Sequence, residues 1–547
     1  MEIQHADKKY AMAKRILIFI LLIHTVLFIW AVYEQSFTTS KGRYILLADD
    51  AMISMKYAYN LVHHGQLVWQ QGQKVMGITN PGWTAIMALT LLINLPLRIA
   101  SLPIVIINLL VDLLLIIIVF RTMLKCCGFP SAVIFSGFLA VLTPLIFFST
   151  LGLETPLQTL LITSAIISVI PKENSDRLVD YPLRTFLILA AATIVRPDSG
   201  LFLLLFSVAA IRDAIVLRQE RAKIIRAILI SGSIIAAMLL AQKIYYGDWL
   251  PNTFYLKATG GAKSIYWGWK YFLKGLVDDG IIPIFVFAAI GIVEWICKKN
   301  TRDKGIVVAI IVLVWLGYII WTGGDSIPHS RFFLPVLPLV FICGANGLKT
   351  IMNIFQMDDF LLDVKIARRK LFLNILTALT IIATFIVLII PLIRLKLVHP
   401  RFIDRVFVAE SLQNAKLPRN TTIALFEAGT IPFLLPRFKF YDLLWKNDRY
   451  IARTKAHYGL VGHNKWDFDY SLGKFKPDII ITRDNYTGIT DDFAKNILAN
   501  VDTLSGDCVL FPLSLWVHPL FVKYYRHNRL PIETPFGTHW TFARGKN

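Results

Sequence analysis

Two adjacent carboxylates, Asp49 and Asp50, follow the first long apolar stretch of the chain. They open the segment Leu47-Ala48-Asp49-Asp50-Ala51-Met52-Ile53-Ser54, and Gly77-Ile78-Thr79-Asn80-Pro81 precedes the next apolar run. A carboxylate pair at a membrane surface can take a proton from a bound hydroxyl. The same pair could instead cap a helix over Ala51–Val62 and favour its dipole. Further polar motifs are Gly152-Leu153-Glu154-Thr155-Pro156, Arg196-Pro197-Asp198, Tyr246-Gly247-Asp248-Trp249-Leu250-Pro251-Asn252-Thr253 and Gly323-Gly324-Asp325 through Arg331.

Each motif has a chemical use and a plainer one. Lys56, Arg196 and Arg331 sit at span boundaries, where a phosphate would need a cation. Arg196 could equally pair with Asp198 at a helix break. Asn80, Glu154, Asp198, Asn252, Asp325 and His329 are the candidates for holding substrate. Glu154 could simply cap the helix that Thr155-Pro156 starts. His63 and His64 read as surface histidines. Asp112 lies within an apolar segment, as a functional acid or as a helix–helix hydrogen bond.

The elements that position these residues are membrane spans. Apolar residues make up 56% of the 547, charged residues 17%, and the mean hydropathy is +0.58. A soluble domain of this size carries more charge. The net charge of +21 lies mainly between apolar runs, where Lys and Arg set topology and meet anionic headgroups. Nucleic acid is not an expected partner.

Ile16–Tyr33 is long enough to cross and follows Lys8, Lys9, Lys14 and Arg15, which puts the N-terminus inside. No small-residue cleavage site follows it. Pro81–Leu95 is apolar but short, and reads as re-entrant or interfacial. Further apolar segments lie near 101–120, 131–148, 157–170, 185–195, 201–211, 227–241, 281–296, 305–321, 332–344 and 372–393. If 81–95 does not cross, the basic loops all fall inside, the polar motifs all fall outside, and there are about 11 spans. After 396 the long apolar runs stop. Thr422–Phe426 and Asp478–Thr482 read as strands and Asp491–Leu498 as a helix. The expected organisation is a membrane module over 1–397, with a first external loop at 34–80, and an external α/β domain over 398–547.

Cys126, Cys127 and Cys297 fall inside, Cys343 in a span and Cys508 outside, so no external disulfide is expected. There is no Cys-x-x-Cys pair for structural zinc. Asp49 and Asp50 could share a divalent cation with Asp325 or Glu154, but the expectation is chemistry that requires no metal or other cofactor.

Taken in order, these motifs resemble those of the GT-C superfamily of integral-membrane glycosyltransferases. They are similar in particular to the branch holding the terminal β-(1→2) arabinofuranosyltransferases and their bacterial relatives. The resemblance is carried by Asp49 through Ala58, Val75-Met76-Gly77-Ile78-Thr79-Asn80-Pro81-Gly82-Trp83, the outer motifs quoted above, Glu427-Ala428-Gly429-Thr430-Ile431-Pro432, Ile451-Ala452-Arg453, Gly462-His463 and Lys476-Pro477-Asp478. It departs at Lys56, where Arg is common, at Met76, where a carboxylate is usual, and at Glu427, where Asp is usual.

The resemblance implies a polytopic α-helical membrane protein with a C-terminal extracytoplasmic α/β domain. It implies transfer of a sugar, arabinofuranose or another, from a polyprenyl-phosphate donor to an envelope glycan or similar acceptor. The reaction would take place outside the bacterial cytoplasmic membrane, in contact with the bilayer. With Asp49 or Asp50 as base, direct displacement inverts the anomeric centre; the resemblance favours Asp49. The rival reading is a transporter or a flippase for lipid-linked sugars. Against it stand the large external domain and the lack of a clear inverted repeat.

Overall fold

The computed structural model describes residues 2–171, 177–257, 262–325, 327–356, 364–395, 400–444, 446–458, 464–482, 489–500 and 510–545. Gly462-His463 and Cys508 lie outside the described residues. The chain divides into two compact units, one of residues 1–34, 105–237 and 261–397, the other of 35–104, 238–260 and 398–547.

The protein is a polytopic α-helical membrane protein. Among the described residues seven helices are long and apolar enough to cross: Ala11–Gln35, Leu102–Cys126, Pro197–Val216, Arg218–Tyr246, Arg302–Trp321, Leu337–Ile354 and Ile375–Ile393. Two bent pairs raise this to nine if each is one span, Phe129–Ala140 with Thr143–Thr150 (44°) and Ser264–Asp278 with Ile282–Cys297 (99°). The expected count of about 11 is not reached. Thr155–Ile166 has 12 residues and Pro182–Val195 has 14, too few to cross a hydrocarbon core of about 30 Å at 1.5 Å per residue. Pro81–Leu91, with 11 residues, is likewise too short.

In the first unit, small residues let helices approach closely, as membrane packing favours. A Cβ on Gly291 would lie 2.0 Å from the Cys343 carbonyl oxygen, and one on Gly347 would lie 2.0 Å from that of Phe287. Asp112 proves to be a helix–helix hydrogen-bonding residue. It faces His24 at 3.3 Å and accepts from Ser149 Oγ at 2.8 Å, while His24 Nδ1 donates to the Ala140 carbonyl at the helix break.

The second unit is built on a mixed five-stranded sheet. We number its strands β3 (Thr422–Leu425), β4 (Lys439–Asp442), β5 (Ile479–Ile481), β6 (Arg529–Thr534) and β7 (Gly537–Ala543), after a hairpin of β1 (Phe37–Thr39) and β2 (Gly42–Tyr44). The sheet order is β4-β3-β5-β7-β6, parallel at β3–β4 and β3–β5 and antiparallel elsewhere. Alternation along β3 and β5 supplies two apolar faces. Ala424 and Ile480 face a core with Phe468, Phe511 and Phe542. Ile423, Leu425, Ile479 and Ile481 face a core that includes Ile53, Tyr57, Trp69 and Ile78. The helix carrying the carboxylate pair is therefore packed into the core under this sheet.

Candidate active site

Asp49 and Asp50 form the first turn of the helix Asp49–His64, which ends at Gly65 in a left-handed conformation (φ 66°). Ala48 is the N-cap residue and no side chain caps the helix, so capping is not what the pair does. Asp49 instead accepts hydrogen bonds from the backbone N–H of Thr430 at 3.0 Å and of Gly429 at 3.2 Å. Arg405 stands 3.5 Å from its Oδ1. The same guanidinium is held on two oxygens by Glu427, which shares its charge between two carboxylates. Asp50 pairs with Lys446. Asp49 is 18% exposed and Asp50 43%.

These surroundings set the proton affinities. Burial pushes the Asp49 carboxyl above the usual carboxylate range; Arg405 opposes this and Glu427 adds to it. The Lys446 ammonium is held above its ordinary value: burial works against it, but Asp50, with Asp49 and Asp442, more than compensates. Asp50 lies against that cation and is thereby engaged in an ion pair.

Glycine is required where Asp49 meets the Glu427-Ala428-Gly429-Thr430 turn. A Cβ on Gly429 would lie 2.1 Å from the Asp49 carbonyl oxygen and 2.7 Å from its Oδ1. Arg405 had no signal in the sequence: it lies in a polar helix, Pro400–Asn414, of ordinary composition. Lys446 was equally unmarked.

Lys56 lies seven residues after Asp49, two turns along the same helix face, or about 10 Å. It is 3% exposed. Burial pushes its ammonium down to about 7. Asn80 and Asn252 have structural work. Asn80 Oδ1 accepts from Ser54 and Thr84. Asn252 Nδ2 donates to the Asp448 carbonyl, and its Oδ1 accepts from Arg453. Asp248 in turn pairs with Arg449 and Arg453, so the Tyr246–Asn252 and Ile451–Arg453 motifs lock together.

The first unit carries two further clusters. Arg196 is bound by Glu154 at 2.7 Å and Asp198 at 2.8 Å, and Gln158 donates to Asp198 at 2.7 Å. Glu154 stands at the N-cap of Thr155–Ile166 but makes no side-chain cap; its carboxylate goes to Arg196. With two carboxylates on one guanidinium, this cluster is formally anionic. In the second, Arg331 pairs with Asp325 at 2.6 Å, and His329 Nδ1 meets Asp279 Oδ1 at 3.0 Å. Asp279 is fully buried, and its Oδ2 has no hydrogen-bond partner among the described residues; nothing in the sequence singled it out.

The loop between these pairs is strained. Gly323 and Gly324 have φ of 84° and 76°, and the non-glycine residues His329 and Ser330 have 64° and 49°. At the two non-glycine positions such conformations cost about 1–3 kcal/mol each, and they concentrate at functional sites.

Among the described residues no three His, Cys, Asp or Glu gather as a cation site. The partners beside Asp49 and Asp50 are Arg405 and Lys446, which would repel a divalent ion from this donor set.

No family model and no curated protein matches the chain. Solved structures do resemble it. The oligosaccharyltransferase AglB of Archaeoglobus fulgidus, in complex with an inhibitory peptide and a dolichol-phosphate, superposes with a TM-score of 0.58 at 11% identity, covering 98% of this chain and 75% of that one. The same protein with Zn and sulfate gives 0.57 at 13% identity, covering 97% and 73%. ArnT of Cupriavidus metallidurans, bound to undecaprenyl phosphate, gives 0.57 at 11% identity, covering 97% and 99%. Together with its apolar helices and its C-terminal sheet, this likeness gives the chain the GT-C type fold.

Proposed function

We propose that this protein is a glycosyltransferase that moves a sugar from a polyprenyl-phosphate donor to an envelope glycan or similar acceptor. The sugar is arabinofuranose or another, and the reaction takes place on the outer side of a bacterial cytoplasmic membrane. The observation that carries this reading is the held carboxylate of Asp49, with buried Lys56 two turns further along its helix. The neighbours of like fold, which hold dolichol-phosphate and undecaprenyl phosphate, support a lipid carrier.

In this mechanism Asp49 takes the proton of the acceptor hydroxyl, and the hydroxyl oxygen attacks the anomeric carbon. The bond to the phosphate oxygen breaks, and the polyprenyl phosphate leaves with the electron pair. The displacement inverts the anomeric centre. A base-to-hydroxyl hydrogen bond, the reacting centre and a phosphate-to-ammonium hydrogen bond together span about 10 Å, comparable to the Asp49–Lys56 separation. Asp49 is oriented by Gly429, Thr430 and Arg405, so it reaches the hydroxyl without rotamer cost. Arg331, paired with Asp325, and His329 are the groups of the first unit with the chemistry to meet a phosphate and a substrate hydroxyl. Arg196, with Glu154 and Asp198, holds the helix break at Pro197. No step requires a metal.

The test is transfer in vitro. Purified protein in lipid is given a radiolabelled polyprenyl-phosphate sugar and a glycan acceptor. Labelled glycoside that depends on Asp49 supports the reading. Movement of the donor lipid between leaflets with no glycoside formed contradicts it and supports the flippase.

A further inference from the structure

Lys56 is the most unusual charge in the second unit. It is 3% exposed, and no hydrogen bond or ion pair joins its ammonium to any described residue. Its one recorded partner is the ring of Tyr59, 5.6 Å away. A buried cation without an anion is costly, and such groups ordinarily lose their charge instead. The protein could have neutralised the position with Met or Leu, as most buried positions do. A lysine kept there without a partner points to an anion that arrives from outside.

The neighbourhood is otherwise poor in charge. The helices packed most closely against Asp49–His64 are Pro81–Leu91 and Thr430–Leu434, and neither carries a titratable residue. On its own helix the nearby groups are Tyr59, His63 and His64. Lys56 holds His64 below its ordinary value, after burial and His63. Asp49 and Asp50 lie two turns away, engaged by Arg405 and Lys446.

We propose that at mildly alkaline pH Lys56 stands as a neutral amine in the empty site and as an ammonium when a carrier phosphate is bound, so that phosphate binding there takes up one proton from solvent. This rests on the glycosyltransferase reading for the identity of the anion. The balance is simple: amine, solvent proton and phosphodiester monoanion give an ammonium–phosphate pair, with no other bond made or broken. Burial already sets the empty-site ammonium at about 7, and an adjoining phosphate raises it. The site would therefore present little free positive charge to other anions until a lipid carrier brings the phosphate to it.

The test is calorimetric titration with farnesyl methyl phosphate, a diester whose single charge does not titrate near neutrality. Binding heats are compared in two buffers of different ionisation enthalpy. The wild type should take up close to one proton per site at about pH 8.5 and close to none at about pH 6. Lys56→Arg stays charged at both and should bind with no uptake. Lys56→Met should bind at least about tenfold more weakly, also with no uptake.

Absence of diester binding, or binding without uptake by the wild type at the higher pH, overturns the proposal, as does uptake that persists in Lys56→Arg. Uptake without any sugar transfer leaves the proton coupling standing and removes the glycosyltransferase reading. Transfer without uptake does the reverse.

Discussion

Asp49 accepts a hydrogen bond from the backbone N–H of Thr430 at 3.0 Å, across 381 positions of sequence. The candidate base is therefore aimed by a turn of the sheet domain rather than by its own helix. The glycine before that turn makes the approach possible. Gly429→Ala should drive a methyl group into Asp49. We expect a loss of about 1–3 kcal/mol in stability from overpacking and a fall in turnover of up to about 10²-fold from misplacement. Donor affinity, measured by titration with an unreactive analogue, should hold. Equal loss of donor affinity and turnover would show that Gly429 does not act through Asp49.

The cations should separate into two kinds. Lys56→Ala should leave folding nearly intact and weaken donor binding or leaving-group departure by roughly tenfold or more. Arg196→Met strips the partner from two buried carboxylates and should cost about 3–5 kcal/mol in stability, read as a lower Tm. Arg331→Ala should do some of each, since it leaves Asp325. If all three keep normal donor kinetics, the phosphate assignment is wrong.

The pH dependence has two limbs of opposite sign. Asp49 must be ionised to act, and burial has raised it, so turnover should fall on acidification at a pH above the ordinary carboxylate range. Lys56 is charged below about 7 in the empty site, so kcat/KM for donor should decline as pH rises through that value. Lys56→Arg should remove the alkaline limb and keep the acidic one. Initial rates from about pH 5 to 9 measure both.

The candidate residues that the sequence offered were those with local signals, adjacent carboxylates and short polar motifs between apolar runs. Asp49, Asp50 and the Arg196–Asp198 pair belong to that kind. What was not legible depends on distant chain segments meeting. Arg405 and Lys446 sit in unremarkable polar stretches, and only the fold brings them to Asp49 and Asp50. Glu427 showed itself only as a departure from the usual Asp, yet it takes two contacts on Arg405. Glu154 looked like a cap and proved to be an ion-pair partner of Arg196. The span count of about 11, against seven to nine candidate helices among the described residues, differs for another reason. Hydropathy shows that a run is apolar but not how long its helix is, and the segments near 157–170 and 185–195 form helices of only 12 and 14 residues.

Topology offers an independent check. The distribution of basic loops predicts residue 125 inside and residue 400 outside. A reporter fused after 125 should read cytoplasmic, and one after 400 external. An external signal at 125 would mean that the short Pro81–Leu91 segment crosses after all.

The central claim is that Asp49 is the base. The direct measurement is turnover of purified Asp49→Asn and Asp50→Asn with polyprenyl-phosphate sugar and acceptor, beside a Tm for each. Both should fold. Asp49→Asn should lose about 10²–10⁴-fold in kcat, and Asp50→Asn, which weakens its pairing with Lys446, should lose less. Near-normal turnover in Asp49→Asn, with its fold intact, would contradict the account.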